Sequence, residues 1–242
     1  MPVLKLVLAY DGTGFRGWAR QPGKRTVQGV LERALERMLG EVPRLSVAGR
    51  TDAGVHAWGQ VVSLEGRDTE RLQRGLNGML APEVVVRRAT RVPDGFDARR
   101  SAKARVYRYR VSLAPVPDPF TARYVWHRPA PVALAPMRRA ARLLEGEHDF
   151  ASFCRAPRRG GTVRRLERLA IRREGDLLEL GVRGNAFCHQ MVRSLVGTLL
   201  EVGEGRKEAG SMTEVLKARS RRAAGRVAPP HGLTLERVLY RP

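Results

Sequence analysis

Eight residues, Gly49-Arg50-Thr51-Asp52-Ala53-Gly54-Val55-His56, lie between two apolar runs, Leu45–Ala48 and Trp58–Leu64. The runs read as strands, so the octapeptide must be the turn that joins them. That places a carboxylate, Asp52, in a tight connection with Gly49 and Gly54 on either side, where backbone or ligand can approach closely. A nearby guanidinium, that of Arg50 or of another arginine, would hold such a carboxylate ionised and keep it a nucleophile rather than an acid. An aspartate in a turn more often serves only to bond its own backbone. The rest of the chain has to decide between the two.

The surrounding pattern sets a fold class. Val3–Tyr10 reads as a buried strand and Asp11-Gly12-Thr13-Gly14 as a turn. Thr26 is a candidate N-cap for a helix whose apolar positions, Val27, Val30, Leu31, Ala34, Leu35 and Met38, share one face. A second helix is expected over 69–79, capped by Thr69 or Asp68, and a strand over 83–91. The order β-α-β-β-α-β fits a ferredoxin-like or RRM-like unit. A second half opens with a strand over 105–113. It continues with a helix over 134–145, a hairpin over 163–173 and 177–183, an apolar helix over 189–202 and a last strand over 233–240. The expectation is an α+β protein of two RRM-like or ferredoxin-like halves, residues 1–104 and 105–242, with antiparallel sheets joined around a central positively charged cleft.

Charge restricts the partner. Lysine and arginine number 45 against 24 acids, a formal net charge of +21. Such an excess points to a polyanion, reached by steering and phosphate contacts. Only five of the cations are lysines, a bias that changes which cation is used and not the sum. The stretch 155–165, RAPRRGGTVRR, reads as a basic loop suited to phosphates. Cys154 and Cys188 stand outside any CxxC pattern and are expected to make neither a zinc site nor a disulfide scaffold. The five histidines show no metal-ligand spacing, and no apolar run approaches a membrane span. The N-terminus opens on a strand without a signal peptide, so a cytoplasmic protein is expected.

Two further stretches carry candidate chemistry. On the strand beginning Arg105-Val106-Tyr107-Arg108-Tyr109, alternate residues share a face. Arg105, Tyr107 and Tyr109 would offer a surface for stacking a base, or the tyrosines would be core residues with satisfied hydroxyls. In Gly184-Asn185-Ala186-Phe187-Cys188-His189-Gln190-Met191-Val192-Arg193, most positions are apolar core. Arg193 is a charge on an apolar helix and needs a carboxylate partner; Asp52 is a candidate.

Together these stretches resemble the TruA-type tRNA pseudouridine synthases. The matching segments are AYDGTGFRGW (9–18), TVQGVLERAL (26–35), GRTDAGVHAWGQV (49–61), FDARRSAKARVYRYRV (96–111), GNAFCHQMVRSLVGTLLEVG (184–203) and APPHGLTLERVLY (228–240). They run in the family's order over nearly the whole chain. Two positions depart from the usual pattern: Ala19 follows Trp18 where glutamine is common, and Cys188 stands where an aliphatic residue is usual.

The resemblance implies that Asp52 is the single catalytic aspartate. Tyr107 would stack on the target uracil, Arg193 would pair with the carboxylate, and Arg50 would fill space beside the displaced nucleotide. It implies isomerisation of uridine to pseudouridine at positions 38, 39 and 40 of the tRNA anticodon stem-loop by a homodimer. The reaction breaks the N1–C1′ bond, turns the uracil and rejoins it through C5, with no redox change, so no cofactor and no metal are expected. The carboxylate attacks C1′ or C6, or assists elimination at the ribose. The alternatives are a pseudouridine synthase for another RNA site and a non-catalytic RNA-binding protein.

Overall fold

The computed structural model describes residues 2–66, 68–155 and 161–241. It is a mixed α/β structure with mostly antiparallel strand pairing and few helices. The contacts divide it into two compact units, one up to Arg105 together with the residues from Thr234 on, the other Val106–Leu233.

Unit 1 begins with β1 (Val3–Tyr10), in which every second residue, Leu4, Leu6, Leu8 and Tyr10, is buried. Helix α1 (Val27–Leu39) starts at Thr26, whose side chain accepts the Gly29 N–H. Such a cap stabilises a helix by about 1 kcal/mol. The chain then passes through β2 (Ser46–Val47) and β3 (His56–Glu65) to α2 (Thr69–Leu80). Asp68, not Thr69, is the cap of α2, its carboxylate accepting the Arg71 N–H at 2.9 Å. Helix α2 packs on β4 (Val84–Val92) and on α1. Asn77 of α2 exchanges two hydrogen bonds with the Val86 backbone, at 2.7 and 3.0 Å, which ties the helix to its strand.

The strand order here is β4-β1-β3, with β2 on β3. Both neighbours of β1 are antiparallel to it, and each ladder carries an irregularity near the same level. The other edge of β3 takes the last strand of the chain, labelled β10 (Leu233–Leu239), in parallel register: Thr234 lies opposite His56 and Leu235 opposite Ala57. Gly59 permits this, because a Cβ there would collide with the carbonyl of Glu236.

Unit 2 is built on β5 (Ala104–Ser112), most of which belongs to it, with β6 (Trp126–His127) in parallel beside it. Helix α3 (Leu134–Leu144) buries Met137, Ala140, Ala141 and Leu144. Next come β7 (Gly146–Asp149), β8 (Val163–Glu174) and β9 (Leu177–Gly184), and β8 and β9 form the expected hairpin. Helix α4 (Met191–Gly203) is buried almost all round and packs on α3; α5 (Met212–Lys217) packs on α3 as well. The unit's strands run β5-β9-β8-β7.

The apolar helix starts two residues later than its hydrophobicity predicts. Gln190 adopts φ 65°, a left-handed conformation that no helical residue has, so α4 opens at Met191. The cysteine expectation also needs correction. Cys154 and Cys188 form a disulfide, with Cα atoms 5.7 Å apart across 34 positions of sequence. A short 3-10 turn over Ala151–Phe153 and the segment leading into α4 bring them together. Of the basic loop predicted over 155–165, residues 156–160 lie outside the described residues.

Candidate active site

The loop carrying Asp52 is clamped on several sides within unit 1. Its own turn is closed by the Val55 N–H donating to the Asp52 carbonyl at 3.1 Å. The Thr51 carbonyl accepts the Trp18 N–H at 3.0 Å, and the Phe15 carbonyl accepts the Gly54 N–H at 3.3 Å. Below the loop lies a buried polar triad. The Thr51 hydroxyl bonds the Tyr10 hydroxyl at 2.8 Å, and the Gln60 amide donates to the Tyr10 oxygen at 3.3 Å and to the Gly49 carbonyl at 2.6 Å. Gln60 is fully buried and Tyr10 nearly so. Buried polar groups joined in this way fix one arrangement, since any other leaves a group unpaired. Burial pushes the Tyr10 phenol up to about 12, against smaller opposing effects of Thr51 and Gln60, so it is a neutral hydroxyl at physiological pH.

These contacts explain the segment AYDGTGFRGW. Its residues 10–18 wrap the Asp52 loop, and two of its glycines are close-approach positions. A Cβ on Gly12 would enter the Val55 carbonyl, and one on Gly17, at φ +93°, would sit 2.9 Å from the Thr51 carbonyl oxygen. The Gly12 N–H donates to Nδ1 of the buried His56 at 3.0 Å, which anchors the far end of the octapeptide. Asp52 is left half-buried and Arg50 exposed on one loop, two residues apart.

Arg105 has a different task from the one the strand pattern suggests. Its guanidinium holds the Ala48 carbonyl through Nη2 at 2.7 Å and Nε at 3.2 Å, and reaches the carbonyls of Arg99 and Ala102. It therefore braces the backbone just ahead of Gly49 and does not belong to a stacking face. Tyr109 is a core residue: it is fully buried, edge-on to Trp126, and its hydroxyl donates to the Pro229 carbonyl at 2.8 Å. Burial raises its phenol pKa, with the nearby Arg193 charge acting in the opposite direction.

In unit 2, Tyr107 packs edge-on against Phe187, ring centroids 5.2 Å apart at 87°. That contact joins β5 to the segment between β9 and α4. Gly184 allows the turn, since a Cβ would meet the Arg165 carbonyl at 3.0 Å and the Phe187 ring at 3.1 Å. The Asn185 side chain accepts the Arg165 N–H at 3.1 Å, extending the hairpin ladder by one bond. Arg193 is half-buried on the first turn of α4, with Nε donating to the Ala228 carbonyl at 2.7 Å while Ala228 N–H returns a bond to the Arg193 carbonyl. Gly197, one turn on, lets the segment 226–228 lie directly on the helix. The structure thus groups Asp52 and Arg50 on one loop, and Tyr107 and Arg193 in the second unit. The roles of Gln60 and Thr51 in holding the loop escaped sequence reasoning; the one available signal was a glutamine beside the apolar run of β3.

A carboxylate on a hydrogen-bonded loop, in a strongly basic α/β protein, is compatible with an enzyme that acts on a polyanion. The comparison with known families makes that class specific. The family model described as tRNA pseudouridine synthase matches residues 6–99 and 140–241. A tRNA pseudouridine synthase A of Geobacillus sp. (strain WCH70) is 44% identical, with 98% of each chain covered. One of Myxococcus xanthus is 44% identical over 100% of this chain and 93% of its own, and one of Frankia casuarinae 49% identical over 99% and 89%. The chain belongs to the tRNA pseudouridine synthase family, whose members are isomerases.

Proposed function

We propose that the protein isomerises uridine to pseudouridine at positions 38, 39 and 40 of the tRNA anticodon stem-loop, in the cytoplasm and as a homodimer. Its two halves are taken as RRM-like units, and its basic surface as what receives the stem. The reading rests on family membership, and the observation that carries it to a residue is the locked loop around Asp52. An enzyme gains rate by holding a reacting group in place before the substrate arrives. The triad of Tyr10, Thr51 and Gln60, with Arg105 behind it, does this for a single carboxylate.

Asp52 supplies the negative group that acts on the ribose or the base while the N1–C1′ bond breaks. Tyr107 is assigned as the wall that keeps the detached uracil from escaping while it turns. The C5–C1′ bond then forms, the C5 proton leaves, and N1 gains a proton. Arg193 is assigned as the charge partner of Asp52. Arg50, exposed two residues from it, is assigned to the space left by the flipped nucleotide, whose unstacking costs a few kcal/mol.

The test is Asp52→Asn assayed by release of tritium from C5-labelled uridine in tRNA. Release is expected to slow by at least about 10³-fold, with tRNA affinity changed less than about threefold. Release at a rate near that of the unmodified enzyme would refute the assignment.

A further inference from the structure

Strand β1 is flanked by two irregular ladders at the same level. On one side Leu8 lies opposite Gln60 and Tyr10 opposite Ala57, which leaves Trp58 and Gly59 facing Ala9 alone. On the other side Val7 lies opposite Arg88 and Leu8 opposite Val86, which leaves Arg87 without a partner position. Each bulge adds one residue and re-aims it, a device concentrated next to active sites. Here the two displaced residues meet: the Arg87 guanidinium carbon stands 4.1 Å from the centroid of the Trp58 ring. Arg87 Nη1 also donates to the Trp58 carbonyl at 3.0 Å, and its own carbonyl is held by Gln73 at 3.2 Å.

The pair is rigid, yet it covers little. Trp58 is 56% exposed, whereas Trp18 and Trp126 are 1% and 8% exposed. An exposed indole is an expensive way to fill a surface, and core packing does not account for this one. Arg88 and Arg91, both exposed, continue the cationic edge along β4. Trp58 follows Asp52 by six residues, so the two lie within about 20 Å of each other even on a fully extended chain.

We propose that the Trp58–Arg87 stack is a platform for an unpaired nucleobase of the RNA substrate near the target uridine, with Arg88 and Arg91 on its phosphates. A flat aromatic face backed by a guanidinium suits a base of any sequence, and the adjacent arginines complement the polyanion. The inference rests on the functional reading above, and gives that site a second RNA contact in unit 1.

The exposure pattern supplies a direct readout, because Trp58 is the exposed indole while Trp18 and Trp126 are buried. An unmodified tRNA transcript with uridine at position 39 should quench the emission of the wild-type protein, and Trp58→Phe should abolish most of that quench while leaving KM within about threefold. Trp58→Ala should raise KM by about 5- to 150-fold with kcat within about twofold. Quenching that persists in Trp58→Phe, or an unchanged KM in Trp58→Ala, overturns the proposal. So does a Trp58 already shielded without RNA, together with weakened dimerisation of Trp58→Ala in sedimentation, since the ring would then be a subunit contact. Quenching with no isomerisation by the wild type would strike the functional reading and uphold the platform.

Discussion

Replacing Gly17 by alanine tests whether the loop around Asp52 is held by its wrapping segment. Gly17 sits at φ +93°, a backbone state that costs an L-residue about 1–2 kcal/mol. The added Cβ would lie 2.9 Å from the Thr51 carbonyl oxygen, 3.1 Å from the Ala53 nitrogen and 3.2 Å from the Asp52 carbonyl carbon. All three atoms belong to the backbone, so relief requires the loop to move by a few tenths of an ångström. The Trp18-to-Thr51 hydrogen bond, 3.0 Å long, is the first casualty and adds about 1 kcal/mol. The sum is roughly 2–3 kcal/mol, a fall in Tm of about 4–12 °C for a chain of this size. Because the displaced atoms flank Asp52, kcat should fall by about tenfold or more. Gly23 is the control: it has φ +65°, and a Cβ added there would meet nothing within 4 Å, so Gly23→Ala carries the backbone cost alone. Thermal melts and single-turnover tritium release on both variants separate the two effects. Equal losses of Tm with kcat unchanged in both would show that Gly17 does not brace the loop.

Two more outcomes follow from the buried groups. Tyr10 stays protonated in the folded state up to about pH 12 and ionises near 10 when unfolded, so its stabilising effect is complete below pH 10 and is lost as pH rises to about 12. Burial shifts Tyr109 and Tyr240 the same way. Urea unfolding between pH 9 and 12 should show this decline, and Tyr10→Phe should flatten it by roughly 3 kcal/mol; an identical slope in the variant would refute the shift. For the disulfide, a loop of 34 residues predicts that Cys154→Ser lowers stability by about 4 kcal/mol relative to the oxidised wild type. Thiol titration of the unreduced, denatured protein should find no free cysteine, and two free thiols would show that the bridge does not form.

The parts of this fold that could be read from sequence are those with local causes. The alternation of β1 and the cap at Thr26 each depend on neighbours within a few residues, and both appear as expected. Strands β6 and β7 have two and four residues, too few to show any period. The disulfide and the Arg105 brace depend on residues brought together by the tertiary fold, which spacing along the chain does not encode. Strand parity with Tyr107 predicts a stacking face for Arg105. Parity fixes the direction of a Cβ, but a side chain of that length turns toward the nearest carbonyls it can bond. At the site, Asp52 was legible because an acid between glycines is chemically conspicuous. Gln60 and Thr51, which hold its loop, look like ordinary residues until the phenol of Tyr10 is seen beneath them.

The parallel strand β10 has a consequence for how the enzyme is made. It completes the edge of β3 at His56, the last residue of the octapeptide that bears Asp52, and at Ala57. Synthesis delivers the amino-terminal unit first, but that unit waits for Thr234 and Leu235 before its sheet is whole. A ribosome-bound chain halted at residue 230 has all four proposed site residues and an open edge beside the loop that must hold the carboxylate still. Closing that edge joins residues roughly 180 positions apart in sequence, and long-range closure of this kind makes folding slow.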